Sequence, residues 1–306
     1  MSRDLTPEPI LHFTAGMLQS ARLGFASLDA AQRDSLCRRM AEFLPGGIKG
    51  ATEQAELHGM AQAIACLAAA GRLQPLAAGL AEHLTKRGAH PEELDLLPVA
   101  AIARAWFLLS PWESPAAGFA PAFAERLLTN RTSDGGYSQV LRDRHSTLYG
   151  LWLAFETQQN LNRSVPDEAK CLSVLRGLKA ADDSFAQKKE QLTGSVPATA
   201  MATALLIAME EPADPRSLHW LTEMEMPEGG FLAVRQMPFG DVQSTAYALQ
   251  ALAWNGTDLR FLKERSAEFI LDHWHSKGGF LAHARATDAD PDSSFLALVA
   301  LGLCQG

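Results

Sequence analysis

Residues 229–254 read GGFLAVRQMPFGDVQSTAYALQALAW: two glycines and an aromatic ring, an irregular loop, then an aspartate followed by small and apolar residues. The same order recurs along the chain around four aromatic anchors, Tyr137, Phe185, Phe231 and Phe280. These anchors are 48, 46 and 49 residues apart. A repeat of this length is typical of stacked supersecondary units that share one continuous core. Repetition therefore decides the fold class.

Each repeat predicts two kinds of helix. Residues 257–274 carry apolar and charged residues on opposite faces at helical spacing, which is typical of a helix with one solvated face. Residues 199–209 and 294–303 are apolar nearly all round, and a helix of that kind must be enclosed on every side. Alternation of the two kinds predicts a double ring, with enclosed helices inside and amphipathic helices outside.

The repeats count six. They are clear over 135–306 and degenerate over 30–134, where Gly46-Gly47-Ile48 stands as a weak anchor. Inner helices are expected to begin near residues 56, 97, 143, 196, 241 and 290, and outer helices of the N-terminal half near 30–44, 72–87 and 116–129. We therefore predict an all-α fold, a single toroidal domain over 1–306, and hypothesise that its six units close into a ring.

Composition restricts the function and the location. The net charge is −8, with no basic stripe, which argues against nucleic-acid binding. Four cysteines in no CxxC spacing predict free thiols in a reducing compartment. The N-terminus lacks the apolar segment of a secretory signal, and no apolar run reaches the length of a membrane span. We expect a cytoplasmic protein without a membrane span.

The pattern GG-aromatic…Asp-x-x-Ser-Thr-Ala, best kept in residues 229–246, resembles the repeat of protein prenyltransferase β subunits and of squalene and other terpenoid cyclases. The resemblance implies an α/α toroid whose inner helices surround an apolar cavity for an isoprenoid. It also implies an isoprenoid or other lipid as ligand, a prenyl transfer or cyclisation as the reaction, and a protein partner subunit.

The resemblance implies specific site residues. Prenyltransferases bind catalytic zinc through an aspartate at the position of Asp241, a cysteine two residues later and a histidine from the next repeat. Here the second position is Gln243, and residues 290–293 offer no histidine, so the zinc site is not intact; zinc or magnesium stays open as a cofactor. Arg235 matches a phosphate-binding arginine of the family. Arg235, Gln243 and Tyr247 are the predicted substrate-binding residues.

Terpenoid cyclases instead protonate an alkene with a DxDD motif at the start of an inner helix. Residues 241–244 keep only its first aspartate, and residues 288–292 are acidic with a different spacing. Such an acid must be kept protonated by neighbouring carboxylates and apolar walls. The predicted catalytic residues are Asp241, Asp290 and Asp292.

The helix starts also suggest a site without any resemblance. If the ring closes, the sixth unit lies beside the first, so acids and a histidine converge at one rim. Carboxylates with imidazoles bind zinc, manganese or iron, or act as acid and base. The predicted metal ligands are Asp241, Glu56 and His58. The simpler interpretation is that each acid caps the N-terminus of its helix.

Three hypotheses for the function follow. The first is a divergent prenyltransferase β-like or terpenoid-cyclase-like protein that binds an isoprenoid or other lipid in a central cavity. The second is a non-catalytic protein-interaction module on the same toroid. The third is a metal- or carboxylate-dependent enzyme that uses the acidic rim. Whether the protein is an enzyme stays open at this point.

Overall fold

The computed structural model describes residues 11–45 and 52–305. This part of the chain contains thirteen α-helices: α1 Phe13–Ser27, α2 Ala30–Ala41, α3 Glu53–Ala69, α4 Ala77–Arg87, α5 Leu96–Leu109, α6 Phe119–Leu128, α7 Leu148–Asn160, α8 Glu168–Gly177, α9 Val196–Ala208, α10 Pro215–Thr222, α11 Val242–Trp254, α12 Lys263–Asp272 and α13 Pro291–Gln305. The weak anchor Gly46-Gly47-Ile48 lies outside the described residues. None of the helices within the described ranges combines the length and apolar character that a membrane span requires.

Six helices, α3, α5, α7, α9, α11 and α13, form a closed inner ring. Each contacts the next in chain order, and α13 contacts α3. The all-α toroid and its closure are therefore confirmed. The third inner helix begins at Leu148 rather than near 143, because the Thr147 hydroxyl caps it by accepting from the N–H of Gly150. Asp143 lies in the preceding loop, where it accepts from the Ser138 hydroxyl.

The remaining amphipathic helices, α2, α4, α6, α8, α10 and α12, form the outer ring. The double-glycine turns pack onto them. Gly229 has a φ of +91°, and a Cβ there would lie 2.3 Å from the carbonyl oxygen of Arg265 on α12. Gly278 has a φ of +96°, and a Cβ there would lie 2.5 Å from the carbonyl oxygen of Ser35 on α2. The last double-glycine turn thus packs on α2, the first outer helix, so the outer ring closes as well.

The aromatic anchors explain the regular spacing of the repeats. In the last three repeats, the backbone N–H of the buried anchor donates a 3.0 Å hydrogen bond to a hydroxyl fourteen residues later: Phe185 to Thr199, Phe231 to Thr245 and Phe280 to Ser294. The loop between anchor and hydroxyl must therefore keep a fixed length. These rings fix each loop to its inner helix.

Loops of successive repeats join at the N-terminal ends of the inner helices. The first residue of an inner helix donates its N–H to a carbonyl of the next repeat's loop: Leu148 to Gln187, Val196 to Ala233 and Val242 to Ala282. We call this end of the double ring the rim.

Helix α1 belongs to neither ring and was not expected from the repeats. It contacts α13, α3 and α7, and its Phe13 ring lies between Trp152 and Trp254, with centroids 4.2 and 6.1 Å away. Trp254 is the last residue of α11, so α1 crosses the end of the ring opposite the rim. Gln19 and Arg22 of α1 remain exposed. Helix α1 therefore closes this end of the ring.

Candidate functional site

A stripe of exposed residues runs along the otherwise buried helix α11. Gln243 is exposed and Tyr247 and Trp254 are half-buried, whereas the residues between them on other faces are buried. Because α9 and α13 flank α11 and α10 covers its outer side, this stripe faces the interior of the ring. Since α1 closes the lower end, the exposure of these side chains indicates a recess that opens at the rim.

Five side chains, one from each of five inner helices, line this recess: His58, Arg104, Tyr149, Tyr247 and Asp292. Asp292 keeps 32% of its side chain exposed and His58 keeps 25%, although both lie on inner helices. The five are close enough for the charges of Asp292 and Arg104 to act on both tyrosines. Burial raises the pKa of each tyrosine, and the negative charge of Asp292 raises it further. Both phenols therefore stay neutral and can donate hydrogen bonds.

The upper part of the recess holds an ionised carboxylate. Asp292 Oδ1 accepts a 2.6 Å hydrogen bond from Gln62 Nε2, and His58 Nε2 lies 3.7 Å from the same oxygen. Burial would raise the pKa of Asp292, but His58, Arg104 and Gln62 together hold it below its usual value. A carboxylate in this state is suited to accept hydrogen bonds, and is poorly suited to protonate an alkene.

A buried ion pair lies deeper in the ring. Arg104 Nε donates to Glu156 Oε1 at 2.7 Å and its Nη2 to Oε2 at 2.8 Å. Glu156 is fully buried and also accepts from the Thr14 hydroxyl of α1 at 3.2 Å. Burial would lower the pKa of Arg104, but Glu156 raises it above its usual value. The pair therefore stays charged, and through Thr14 it links helix α1 to the ring.

Two of the predicted catalytic aspartates serve as helix caps. Asp241 accepts from the N–H and the hydroxyl of Ser244 at 2.6 and 2.8 Å. Asp290 accepts from the N–H and the hydroxyl of Ser293 at 2.8 and 2.7 Å. Both oxygens of each carboxylate are thus engaged at the helix start, and only Asp292 extends into the recess. A catalytic role for the two caps stays a prediction.

The residues predicted to bind a metal do not fit a zinc site. Glu56 pairs with Arg87 at 3.3 Å, His58 faces Asp292, and both Asp241 oxygens are engaged by Ser244. Among the side chains that the structure describes, which do not include those of residues 53 and 54, no three from His, Cys, Asp or Glu are grouped so that they could hold a metal ion. The described side chains therefore offer no ligand set like the one that prenyltransferases use for zinc.

The predicted substrate-binding residues lie in different places. Tyr247 bounds the recess and Gln243 is exposed at the rim. Arg235, with 49% of its side chain exposed, pairs with Glu223 at 2.7 Å and lies over the Trp220 ring of outer helix α10. The structure therefore brings Tyr247 and Asp292 together, and places Arg235 against the outer ring.

Sequence reasoning missed Arg104, Glu156 and Tyr149. A signal was present: Arg104 and Glu156 are single charges in the apolar helices α5 and α7, which are neighbours in the ring. An enclosed charge needs a partner, because transfer of an unpaired charge into an apolar interior is very costly. Opposite charges on consecutive inner helices could therefore have been paired from the sequence.

Comparison with known proteins agrees with this architecture. The family model of the prenyltransferase alpha-alpha toroid domain matches residues 195–306. A search of curated protein sequences found no significant match.

Solved structures of similar fold cover nearly the whole chain. Protein geranylgeranyltransferase-I of Candida albicans, complexed with GGPP, has a TM-score of 0.62 at 13% identity over 95% of this chain and 91% of that one. The type II terpene cyclase MstE from Scytonema has a TM-score of 0.58 at 13% identity, over 97% and 98%. The ent-copalyl diphosphate synthase of Streptomyces platensis has a TM-score of 0.51 at 18% identity, over 82% and 51%. These similarities confirm the toroid fold and the resemblance inferred from the repeats.

Proposed function

We propose that the protein binds an uncharged isoprenoid, or a lipid of similar shape, in the recess, with a hydroxyl or carbonyl head group beside Asp292. The observation that carries this proposal is the partial exposure of Tyr149, Tyr247 and Asp292 on inner helices of a ring that α1 closes at one end. The transferase of similar fold is complexed with GGPP, which supports an isoprenoid chain as the ligand class.

The charges of the recess favour an uncharged head group. Asp292 is anionic, and the guanidinium of Arg104 is already neutralised by Glu156 at hydrogen-bond distance. Arg235, the predicted diphosphate ligand, pairs with Glu223. A diphosphate in the recess would therefore approach a carboxylate, while the guanidinium of Arg104 is paired with Glu156 and that of Arg235 lies against the outer ring. A hydroxyl can instead donate to Asp292.

The walls of the recess suit an unsaturated chain. The aromatic rings of Tyr149, Tyr247, Trp152 and Trp254 lie on the inner stripes of α7 and α11. Aromatic faces contribute a large apolar contact area, while the hydroxyls of the two tyrosines remain available to polar groups. Because Trp152 lies three residues after Tyr149 and Trp254 lies at the end of the ring that α1 closes, their fluorescence would report the arrival of a ligand.

The proposal is tested by tryptophan fluorescence titration with farnesol, geranylgeraniol and their diphosphates. We expect dissociation constants of about 1 µM or lower for the alcohols, roughly −8 kcal/mol, and weaker binding of the diphosphates. Asp292→Asn should weaken binding of the alcohols about tenfold, since a hydrogen bond to a charged acceptor is stronger than one to a neutral acceptor. Asp290→Asn is the matched control and should leave binding unchanged.

Other outcomes would favour other functions. Tighter binding of the diphosphates that is lost in Arg235→Ala would contradict the proposed head group and favour the site implied by the family. If the protein is folded but none of the four ligands changes its tryptophan fluorescence, the protein-interaction module is the favoured function.

A second candidate function is acid–base catalysis on the bound ligand. It is favoured by Asp292 Oδ1 and His58 Nε2 lying 3.7 Å apart at a partly exposed position. An imidazole oriented by a neighbouring carboxylate is suited to act as a general base. Mass spectrometry of the ligand after incubation should then reveal a product that Asp292→Asn does not form, whereas unchanged ligand at full occupancy would exclude turnover of that ligand.

A further inference from the structure

Three inner helices carry polar side chains at the same depth in the ring. Arg104, Glu156 and Gln250 each lie eight residues after the first residue of their helix, in α5, α7 and α11. We call these three residues the polar layer. Asp292 and Gln243 each lie one residue after the first residue of the neighbouring helices α13 and α11, and Gln250 lies seven residues, about 10 Å of helical rise, further along α11 than Gln243.

Gln250 has an unused hydrogen-bond donor in this layer. Its side chain is 97% buried, since its relative exposure is 3%, and its Nε2 has no hydrogen-bond partner. It lies one turn below Tyr247 and one turn above Trp254 on the stripe that faces the recess. A buried amide left unpaired against hydrocarbon costs free energy, because it has lost its hydrogen bonds to water.

The other members of the layer do not satisfy this amide. Arg104 and Glu156 are joined through two hydrogen bonds, and Glu156 also accepts from Thr14. A similar unpartnered amide atom exists beside Asp292, where Gln62 donates to the carboxylate while its own Oε1 has no partner. The recess therefore offers polar groups at two depths, separated by about 10 Å along the helices.

We propose that the recess has a second polar subsite at Gln250, which donates a hydrogen bond to an oxygen on the interior part of the ligand. The ligand class is therefore an isoprenoid or similar lipid oxygenated at two places: a head group at Asp292 and a hydroxyl, carbonyl or ether oxygen about 10 Å deeper. This inference rests on the proposed function, since it concerns the same recess. It excludes a purely hydrocarbon tail as the best ligand.

The experiment compares two alcohols that differ by one oxygen. Geraniol and 8-hydroxygeraniol have the same carbon skeleton, and the second hydroxyl of 8-hydroxygeraniol lies at the far end of the chain. Both are titrated by tryptophan fluorescence into the wild-type protein, with farnesol as the reference ligand for the recess. We expect 8-hydroxygeraniol to bind about tenfold more tightly than geraniol, the effect of one additional buried hydrogen bond.

Two leucine variants assign the effect to a residue. Gln250→Leu removes the amide with little change of volume and should reduce the ratio of the two affinities to about one, with binding of geraniol unchanged or tighter. Gln158→Leu is the matched control: Gln158 is equally buried and has an unpartnered Oε1, but it lies nine residues from Tyr149, on the opposite face of α7. This variant should keep the wild-type ratio.

The outcomes separate this inference from the proposed function. If farnesol binds but the two C10 alcohols bind equally, the second subsite does not exist while the proposed function stands. If 8-hydroxygeraniol is preferred and Gln250→Leu keeps the preference, Gln250 is not the donor and the assignment is overturned. If no alcohol binds, the proposed function fails, and the subsite fails with it.

Discussion

Helix α1 packs against α13 by direct contact of their backbones, so adding a single methyl group there should separate the floor from the ring. A Cβ at Gly302 would lie 1.8 Å from the carbonyl oxygen of Ser20, and a Cβ at Gly24 would lie 1.9 Å from that of Leu298. For Gly302→Ala, the oxygen of Ser20 would have to withdraw by roughly 1.6 Å to reach an ordinary contact distance. No flexible side chain can absorb this shift, because both contacting groups are backbone.

The expected cost follows from two opposing effects. Alanine is favoured over glycine in a helix by about 1 kcal/mol, whereas forcing extra volume into a packed contact costs about 1–3 kcal/mol or more. Gly79→Ala on outer helix α4 is the matched control, since nothing lies within 4 Å of the added Cβ. The helix-propensity gain is common to both variants, so they should differ in the free energy of unfolding by the packing cost alone, about 1–3 kcal/mol or more, with Gly79→Ala the more stable.

Urea unfolding of both variants measures this difference, and tryptophan fluorescence shows how the strain is relieved. If α1 lifts away, Phe13 leaves Trp152 and Trp254, so the native fluorescence changes and the dependence of stability on urea becomes shallower. Equal changes of stability in Gly302→Ala and Gly79→Ala would refute the placement of α1 against α13.

Three further predictions concern charge, acidity and thiol reactivity. Glu156→Gln leaves the Arg104 charge buried without its partner and should lower the free energy of unfolding, measured in urea, by about 3–5 kcal/mol. The double variant Arg104→Met with Glu156→Leu removes both charges and should lower it by less. Equal losses of stability would contradict a charged pair. Burial would raise the pKa of Asp134, but hydrogen bonds from neighbouring hydroxyls lower it overall. Asp134→Asn should therefore destabilise the protein at pH 7, and this loss of stability should shrink as the pH falls below about 4. Urea unfolding at several pH values measures the effect. Burial raises the pKa of the Cys66 thiol well above its usual value and the pKa of the Cys171 thiol to about 11. Both thiols should therefore resist iodoacetamide at pH 8 until the protein is unfolded. Rapid labelling of the native protein, measured by mass spectrometry, would contradict their burial.

The fold was largely predictable because its determinants are local and repeated. The hydrogen bond from Phe231 N to the Thr245 hydroxyl joins residues fourteen positions apart, so the sequence carries the spacing directly. The caps at Asp241 and Asp290 are local as well, since Ser244 and Ser293 follow three residues later. Six such units and the lengths of their helices were sufficient to suggest closure.

The recess was less predictable because its lining depends on how each inner helix is rotated. A helix that is apolar nearly all round, such as α9 or α13, has no polar face from which its orientation can be inferred. Gln250 of α11 was not predicted as a lining residue, although it lies three residues after Tyr247 on the same stripe. The partner of Arg235 is Glu223 beside the outer helix, a contact that the repeat pattern does not specify.

The packing partner of helix α1 was also not predictable from the sequence. Its glycine and serine residues recur every four positions, Gly16, Ser20 and Gly24, which is typical of a close helix contact. The pattern does not name the partner, and Gly302 lies almost the whole chain away. Only the closed ring brings the C-terminal helix to the N-terminal one. The single-domain interpretation over 1–306 and the cytoplasmic location stay predictions.

The most direct test of the central claim is a crystal structure of the protein with farnesol. We expect a farnesyl chain between Tyr149 and Tyr247, with its hydroxyl about 2.7 Å from Asp292 or Gln62. Farnesol bound only outside the ring, such as in the apolar groove of about 260 Å³ lined by Trp106, Phe119 and Phe123, would contradict it.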